Sequence, residues 1–382
     1  MYHALGAVPH KRHTQFRKPD GGLYVEEVFG TEGFAGRQSI LYHIHPPTRV
    51  RQIHRLPDLR IEPWDPGVHR HHHLRTKSLE PGGDPVGGRR VLLYNDDVSI
   101  AVMCPTEPMG YFYKNACADE VIFVHEGAGQ LRSIFGTLTY APGDYLVVPR
   151  GTIYQMAPSG DAPQRYLVVE ANGEIEPPRR YRNAHGQFLE HAPYCERDVR
   201  RPERLETFDQ RGDYEVRVKL RHQMASYRYE HHPFDVVGWD GYLYPWALSI
   251  HDFEPITGRV HQPPPVHQTF QGPNFVVCSF VPRKLDYHPE AVPVPYHHSN
   301  VDSDEVIYYV SGSFGSRRGV EVGSITLHPR GIPHGPQPGA VEASLGKQET
   351  DELAVMIDTF HPLRLTVGAR PLDDDSYPWS WL

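Results

Sequence analysis

Only four cysteines stand in 382 residues, Cys104, Cys117, Cys195 and Cys278, and no CxxC spacing occurs among them. That argues against a disulfide scaffold and a zinc knuckle, and it suits a reducing cytoplasm. No apolar run approaches the ~18 residues that signal a transmembrane helix. The opening MYHALGAVPHKRHTQFRKPDG is polar and basic, without a signal core. No membrane partner is expected. Positive charge is in deficit: 39 Lys plus Arg face 47 Asp plus Glu, a net charge of −8. Nothing there calls for a nucleic-acid partner. Long helix-compatible stretches are missing as well. The 37 prolines and 34 glycines interrupt the chain, and proline breaks helix interiors and central strands alike.

What is present is a succession of short strands and turns. The length allows about two domains, and 39% hydrophobic residues can fill their cores. In residues 1–60, GGLYVEEVFG and RQSILYHIHPPTRVRQI read as strands. The segment 61–90 reads as a long surface loop. Its histidines, His69, His71, His72 and His73, are too close in sequence to face one metal, because neighbouring side chains diverge on any regular backbone. VLLYNDDVSIAVMCP is a hairpin candidate, and alternating strands continue to about Glu170. Residues 171–213 are charged and proline-broken and read as a linker with an irregular surface connection. A second strand-rich region follows. The expected division is 1–170, 171–213 and 214–382. The tail after Arg370, with Trp379 and Trp381, is expected to pack back on the body or on a neighbouring subunit.

Tyr296 to Pro336 holds two short patterns. The first is His298, Asn300, Glu305 and Gly312; the second is Gly323, Pro329, Gly331 and His334, with His328 just ahead. The Val, Ile and Tyr between them, cut by glycines, have hairpin composition. Two histidines and a carboxylate on neighbouring strands can hold a metal from one side and leave the other side open to substrate and dioxygen. A non-haem iron(II) oxygenase is therefore expected. Asp302 and Asp304 compete with Glu305, and His297 competes with His298. Strand alternation favours His298, which shares a face with Asn300. Of His328 and His334, one as ligand and one as its orienting partner suits a metal centre.

The stretch has an echo upstream. Asn115, Glu120 and Gly127 repeat the spacing of Asn300, Glu305 and Gly312, and Gly143, Pro149, Gly151 and Tyr154 repeat that of Gly323, Pro329, Gly331 and His334. Such a repeat implies a duplicated β-unit. Tyr113 and Tyr154 replace His298 and His334, so the upstream copy keeps a carboxylate but no imidazole. It is expected to be structural.

Both patterns resemble the cupin motifs, with Asn300 in place of the second histidine of the first motif. The resemblance implies an all-β fold of two cupin-type antiparallel β-barrels with few short helices. A narrower resemblance is to homogentisate 1,2-dioxygenase, carried by Tyr296-His297-His298-Ser299-Asn300, Glu305, Leu327-His328, Pro333-His334-Gly335-Pro336, PFDVVGW at 233–239 and KRHTQFR at 11–17. It implies Fe(II) held by His298, Glu305 and His334, with His261 moving a proton and His267 as its runner-up. It also implies an aromatic hydroquinone acid and dioxygen as substrates, contacted by His328, Asn300 and His334, and a homo-oligomer. The implied reaction opens the ring of homogentisate to maleylacetoacetate; gentisate or a non-catalytic metal-binding role are the alternatives. Phe314 falls where the family places a substrate-contacting tyrosine, and Val260-His261 falls where it has Asp-His.

Overall fold

Period-two alternation, interrupted by glycine and proline every few residues, shapes this chain into strands. The computed structural model describes residues 1–314 and 319–382. Among them the helical content is one short α-helix, Ala340–Ser344, and scattered 3-10 turns. No helix there is long and apolar enough to cross a membrane. The all-β class expected from the sequence holds. So does the hairpin of Arg90–Tyr94 with Val98–Met103. Its turn is closed by the Asn95 side-chain oxygen, which accepts from the N–H groups of Asp97 and Val98 at 2.8 Å each.

Strands pair across the whole sequence. Among the described residues an eight-stranded sheet contains Asp119–Glu126, Asp144–Val148 and Arg165–Ala171 beside the 90–103 hairpin. A seven-stranded sheet joins Ala128–Ser133, Ile153–Ser159 and Phe112–Asn115 to Arg211–Leu220, Gln223–His231 and Val50–Arg55. A six-stranded sheet carries the candidate site, in the order Gln268–Gly272, Phe275–Phe280, Leu353–Thr359, Asp304–Ser311, Ile325–His328 and His72–Leu74. In a further sheet His3–Gly6 and Gln38–His43 flank Val236–Gly241. Residues 211–241 thus complete sheets begun in the N-terminal part, and His72–Leu74 completes a C-terminal one. Pairing crosses the division expected at 214 in both directions.

The two units match in backbone detail. Glu120 pairs with Val148 and Glu170, and Glu305 pairs with His328 and Asp358. Tyr113 pairs with Tyr154, and His298 forms an isolated bridge with His334. Gly127 and Gly312 both adopt left-handed φ, 90° and 86°, which only glycine does without strain. Asp119 and Asp304 make the same bonds, accepting from the N–H of Arg150 at 3.0 Å and of Arg330 at 2.9 Å. One face of each unit enters a common core: Val121 and Phe123 from the first meet Val306, Tyr308, Val355 and Ile357 from the second. Burying each such side chain stabilises the fold by about 1.5–3 kcal/mol.

Two expectations are corrected. The segment 61–90 is a surface loop only in part. His71, His72 and His73 are buried, and Thr326 and Leu327 pair with His73 and His72. The strand is held by Asp373, whose carboxylate is 3.0 Å from His72 Nδ1. The connection at 171–213 is not confined to the surface either. Ile175, Tyr181 and Tyr194 are buried in the common core. Tyr181 and Tyr194 donate to the carbonyls of Gln268 at 3.0 Å and Thr269 at 2.6 Å. Charge masked the apolar residues spaced along both segments.

Candidate metal centre and its upstream counterpart

Two backbone bonds set the histidines side by side: His298 N–H donates to His334 O at 2.8 Å, and His334 N–H donates back at 2.9 Å. Their ring centroids lie 4.2 Å apart. Glu305 projects between them from the start of Asp304–Ser311. One ligand atom from each of His298, Glu305 and His334 lies within 4.8 Å of the others. Glu305 and His334 are buried, whereas the His298 side chain keeps 32% of its surface exposed, so the group is reached from that side. The rivals fall away. Asp304 is spent on backbone N–H groups of Arg330 and Leu363, and His297 and Asp302 are exposed.

A divalent cation fits this group. His334 Nδ1 faces the Ile332 carbonyl at 3.3 Å; a carbonyl only accepts, so Nδ1 carries the proton and Nε2 presents a lone pair. That Nε2 is buried, has no hydrogen-bond partner and stands 3.3 Å from Glu305 Oε1. His298 Nε2 is 3.5 Å from Oε2. Lone pairs turned on one another in a buried place call for a positive ion between them. Burial works to raise the Glu305 pKa, but the rings of His298, His328 and His334 outweigh it and hold the carboxyl well below its usual range.

His328 is placed against Glu305 and His334. It is fully buried. Its Nδ1 is 2.8 Å from Glu305 Oε1 and its Nε2 is 3.0 Å from Tyr377 Oη. Its ring stacks on His334 at 4.4 Å. Trp381 donates from Nε1 to the Gly335 carbonyl at 3.1 Å, and His71 packs on Trp381 at 5.0 Å. The tail thus packs back on the body, as expected, and it does so at the metal group. No motif marks Tyr377, Trp381 or His71; only the fold brings them here.

His261 Nε2 is 3.2 Å from Tyr296 Oη, and Tyr296 packs edge-on to His298 at 5.8 Å. Burial lowers the His261 pKa, offset in part by Asp286, whose carboxylate is 3.8 Å from Nδ1. His267 is buried, stacks on Phe280 at 4.7 Å and is pushed down to about 3, by burial first and then by the charges of Arg283 and His261. Asn300 holds Gly331 through its backbone carbonyl at 2.7 Å, and its side chain is half-buried. Phe314 packs on Tyr309 at 4.7 Å.

In the upstream unit a guanidinium takes the cation's place. Arg89 Nη1 donates to Glu120 at 2.7 Å and to Glu170 at 2.8 Å, and Nη2 donates to Tyr154 Oη at 2.9 Å. Its side chain is only 6% exposed. Glu170 is lowered to about 2, against the pull of burial, by Lys219 and Arg89. Its downstream equivalent, Asp358, has no such cation; burial and the charge of Glu305 raise its pKa well above normal. The sequence carried a hint: a carboxylate, Glu120, kept without its histidines demands some other cation.

A family model described as Homogentisate 1,2-dioxygenase N-terminal matches residues 3–250. The chain belongs to the homogentisate 1,2-dioxygenase family. It is 46% identical to a protein of Saccharolobus solfataricus named "Putative dioxygenase", over all of this chain and 99% of that one. It is 26% identical to the Homogentisate 1,2-dioxygenase of Sinorhizobium fredii, over 98% of this chain and 89% of that one. Among solved structures, a cupin 2 conserved barrel domain protein from Leptotrichia buccalis aligns with TM-score 0.33 and 9% identity, over 77% of this chain and 98% of its own. Family membership makes this chain a dioxygenase-type enzyme that takes an organic substrate and dioxygen.

Proposed function

We propose that this chain is an iron(II)-dependent ring-cleaving dioxygenase that converts homogentisate and dioxygen to maleylacetoacetate. The carrying observation is the His298–Glu305–His334 group in a member of this family: three ligand atoms within 4.8 Å, with one imidazole open to solvent. Iron(II) bound there would supply a route for electron density between ring and dioxygen. His298, Glu305 and His334 would hold it. His328, fixed by Tyr377, keeps the Glu305 carboxylate turned toward the histidines. His261, neutral because burial lowers its pKa, accepts a proton from a ring hydroxyl, and Asp286 stabilises the imidazolium that results. The ring opens between the hydroxyl-bearing carbon and the neighbouring carbon that bears the side chain. Both atoms of dioxygen enter the product, so no external reductant is required.

The test is dioxygen uptake by anaerobically iron-loaded protein. Homogentisate should drive stoichiometric uptake of dioxygen and release of the ring-opened product. Uptake with gentisate but not homogentisate overturns the substrate. His298→Ala should abolish iron retention; full iron and full activity in that variant would refute the ligand set.

A further inference from the structure

Strand alternation gives the second unit a core face and a site face. Val277 and Val281 enter the common core, as do Val355 and Ile357 on the next strand. Phe280 and Ala354, cross-strand partners, therefore face the other way, as do Glu305 and Tyr309 on the third strand. Glu305 marks the metal end of this face. Tyr309 and Phe280 mark the other, about 13 Å along the strand at 3.3 Å per residue. The Arg283 guanidinium lies over the Phe280 ring at 5.7 Å, at that far end, where Phe314 also packs.

Among the described residues no carboxylate hydrogen-bonds Arg283. Its side chain is 16% exposed. One donor meets the Val281 carbonyl at 3.1 Å. The Glu352 carboxylate stands at 3.9 Å, beyond hydrogen-bonding range. A guanidinium offers five N–H donors in a planar fork that matches a carboxylate. Burial lowers its pKa, against the charges of Glu352 and Asp286. A partly buried fork with one hydrogen bond among the described residues, on the same face as the metal group, is a receptor for an anionic end of a ligand.

We propose that Arg283 binds the carboxylate of an aryl acid whose hydroxylated ring reaches His298, Glu305 and His334. This rests on the ring-cleaving function above and adds the group that selects an acid over a neutral hydroquinone. It also accounts for Phe314: with Arg283 holding the carboxylate, no hydroxyl is needed there.

The test is anaerobic calorimetric titration of the iron(II)-loaded protein with homogentisate and with methylhydroquinone, which has the same ring without the carboxylate. Wild type should prefer homogentisate. In Arg283→Leu its Kd should rise about 10- to 100-fold, the loss of a charge-assisted pair, while the Kd of methylhydroquinone stays put. That unchanged value also reports an intact pocket. Arg283→Gln, which keeps a donor for Val281, should show the same selective loss. Equal weakening of both ligands, or none, overturns the role of Arg283 while leaving the ring-cleaving function standing. Wild-type preference for gentisate with the same dependence on Arg283 removes homogentisate as substrate and upholds the carboxylate site. No preference for any acid over methylhydroquinone sinks the proposal.

Discussion

Arg89→Ala withdraws the one cation that, among the described residues, contacts both Glu120 and Tyr154 in the upstream unit. The side chain is almost fully buried, and its partners stand at 2.7–2.9 Å. Breaking a buried pair by removing one member leaves an uncompensated charge and costs about 3–5 kcal/mol. Glu170 keeps Lys219, but Glu120 keeps only neutral donors, Asn115 at 3.1 Å and Tyr154 at 2.5 Å. The loss should also depend on pH. Glu170, held at about 2 against a usual 4.5, gives stability that is present above pH 4.5 and lost as pH falls through 2. Over 2.5 pKa units that is at most about 3 kcal/mol, part of it owed to Arg89. Acidification should therefore narrow the gap between wild type and variant. Urea unfolding at pH 7 and at pH 4 measures both effects, and adding Glu120→Gln should recover part of the loss. A penalty under about 1 kcal/mol at pH 7, or one that grows on acidification, would refute the assignment of Arg89 as a built-in counter-ion.

Two further outcomes follow from named contacts. Tyr377→Phe removes the Oη that fixes His328, so metal affinity, read by competition with a chelator, should fall about 10- to 100-fold with little change in apo-protein melting; unchanged affinity would show that Tyr377 does not orient the site. His43 is pushed up to about 9: burial opposes its charge, but Asp235 at 2.7 Å and Glu27 at 2.9 Å prevail. Its contribution, at most about 3 kcal/mol, should be complete below pH 6.5 and disappear as pH rises through 9. His43→Gln should flatten that part of the stability–pH curve, and a curve of unaltered slope would count against the pairing.

The β class and the metal group were legible because each leaves a local trace. Alternation encodes a strand, and the offsets among His298, Glu305, Gly312 and His334 survive as spacing. The rest had none. His72 pairs with Leu327, and Tyr377 meets His328, through contacts that no local pattern announces. Arg89 and the tyrosines at 181 and 194 sit in charged, proline-rich text and look exposed until the fold closes over them. The division at 214 failed to foresee the crossing strands because a change in composition records solvent exposure, not pairing.

The metal group is bordered by residues made far apart in time. His71–Leu74 and Asp373–Trp381 pack on one another beside it. At about 5–20 residues per second, a ribosome takes some 15–60 s to travel between them. During that interval Glu305 and both histidines emerge without the tyrosine that steadies His328 or the strand Leu353–Thr359 that pairs with Asp304–Ser311. The group therefore acquires its surrounding contacts only after Asp373–Trp381 has been made.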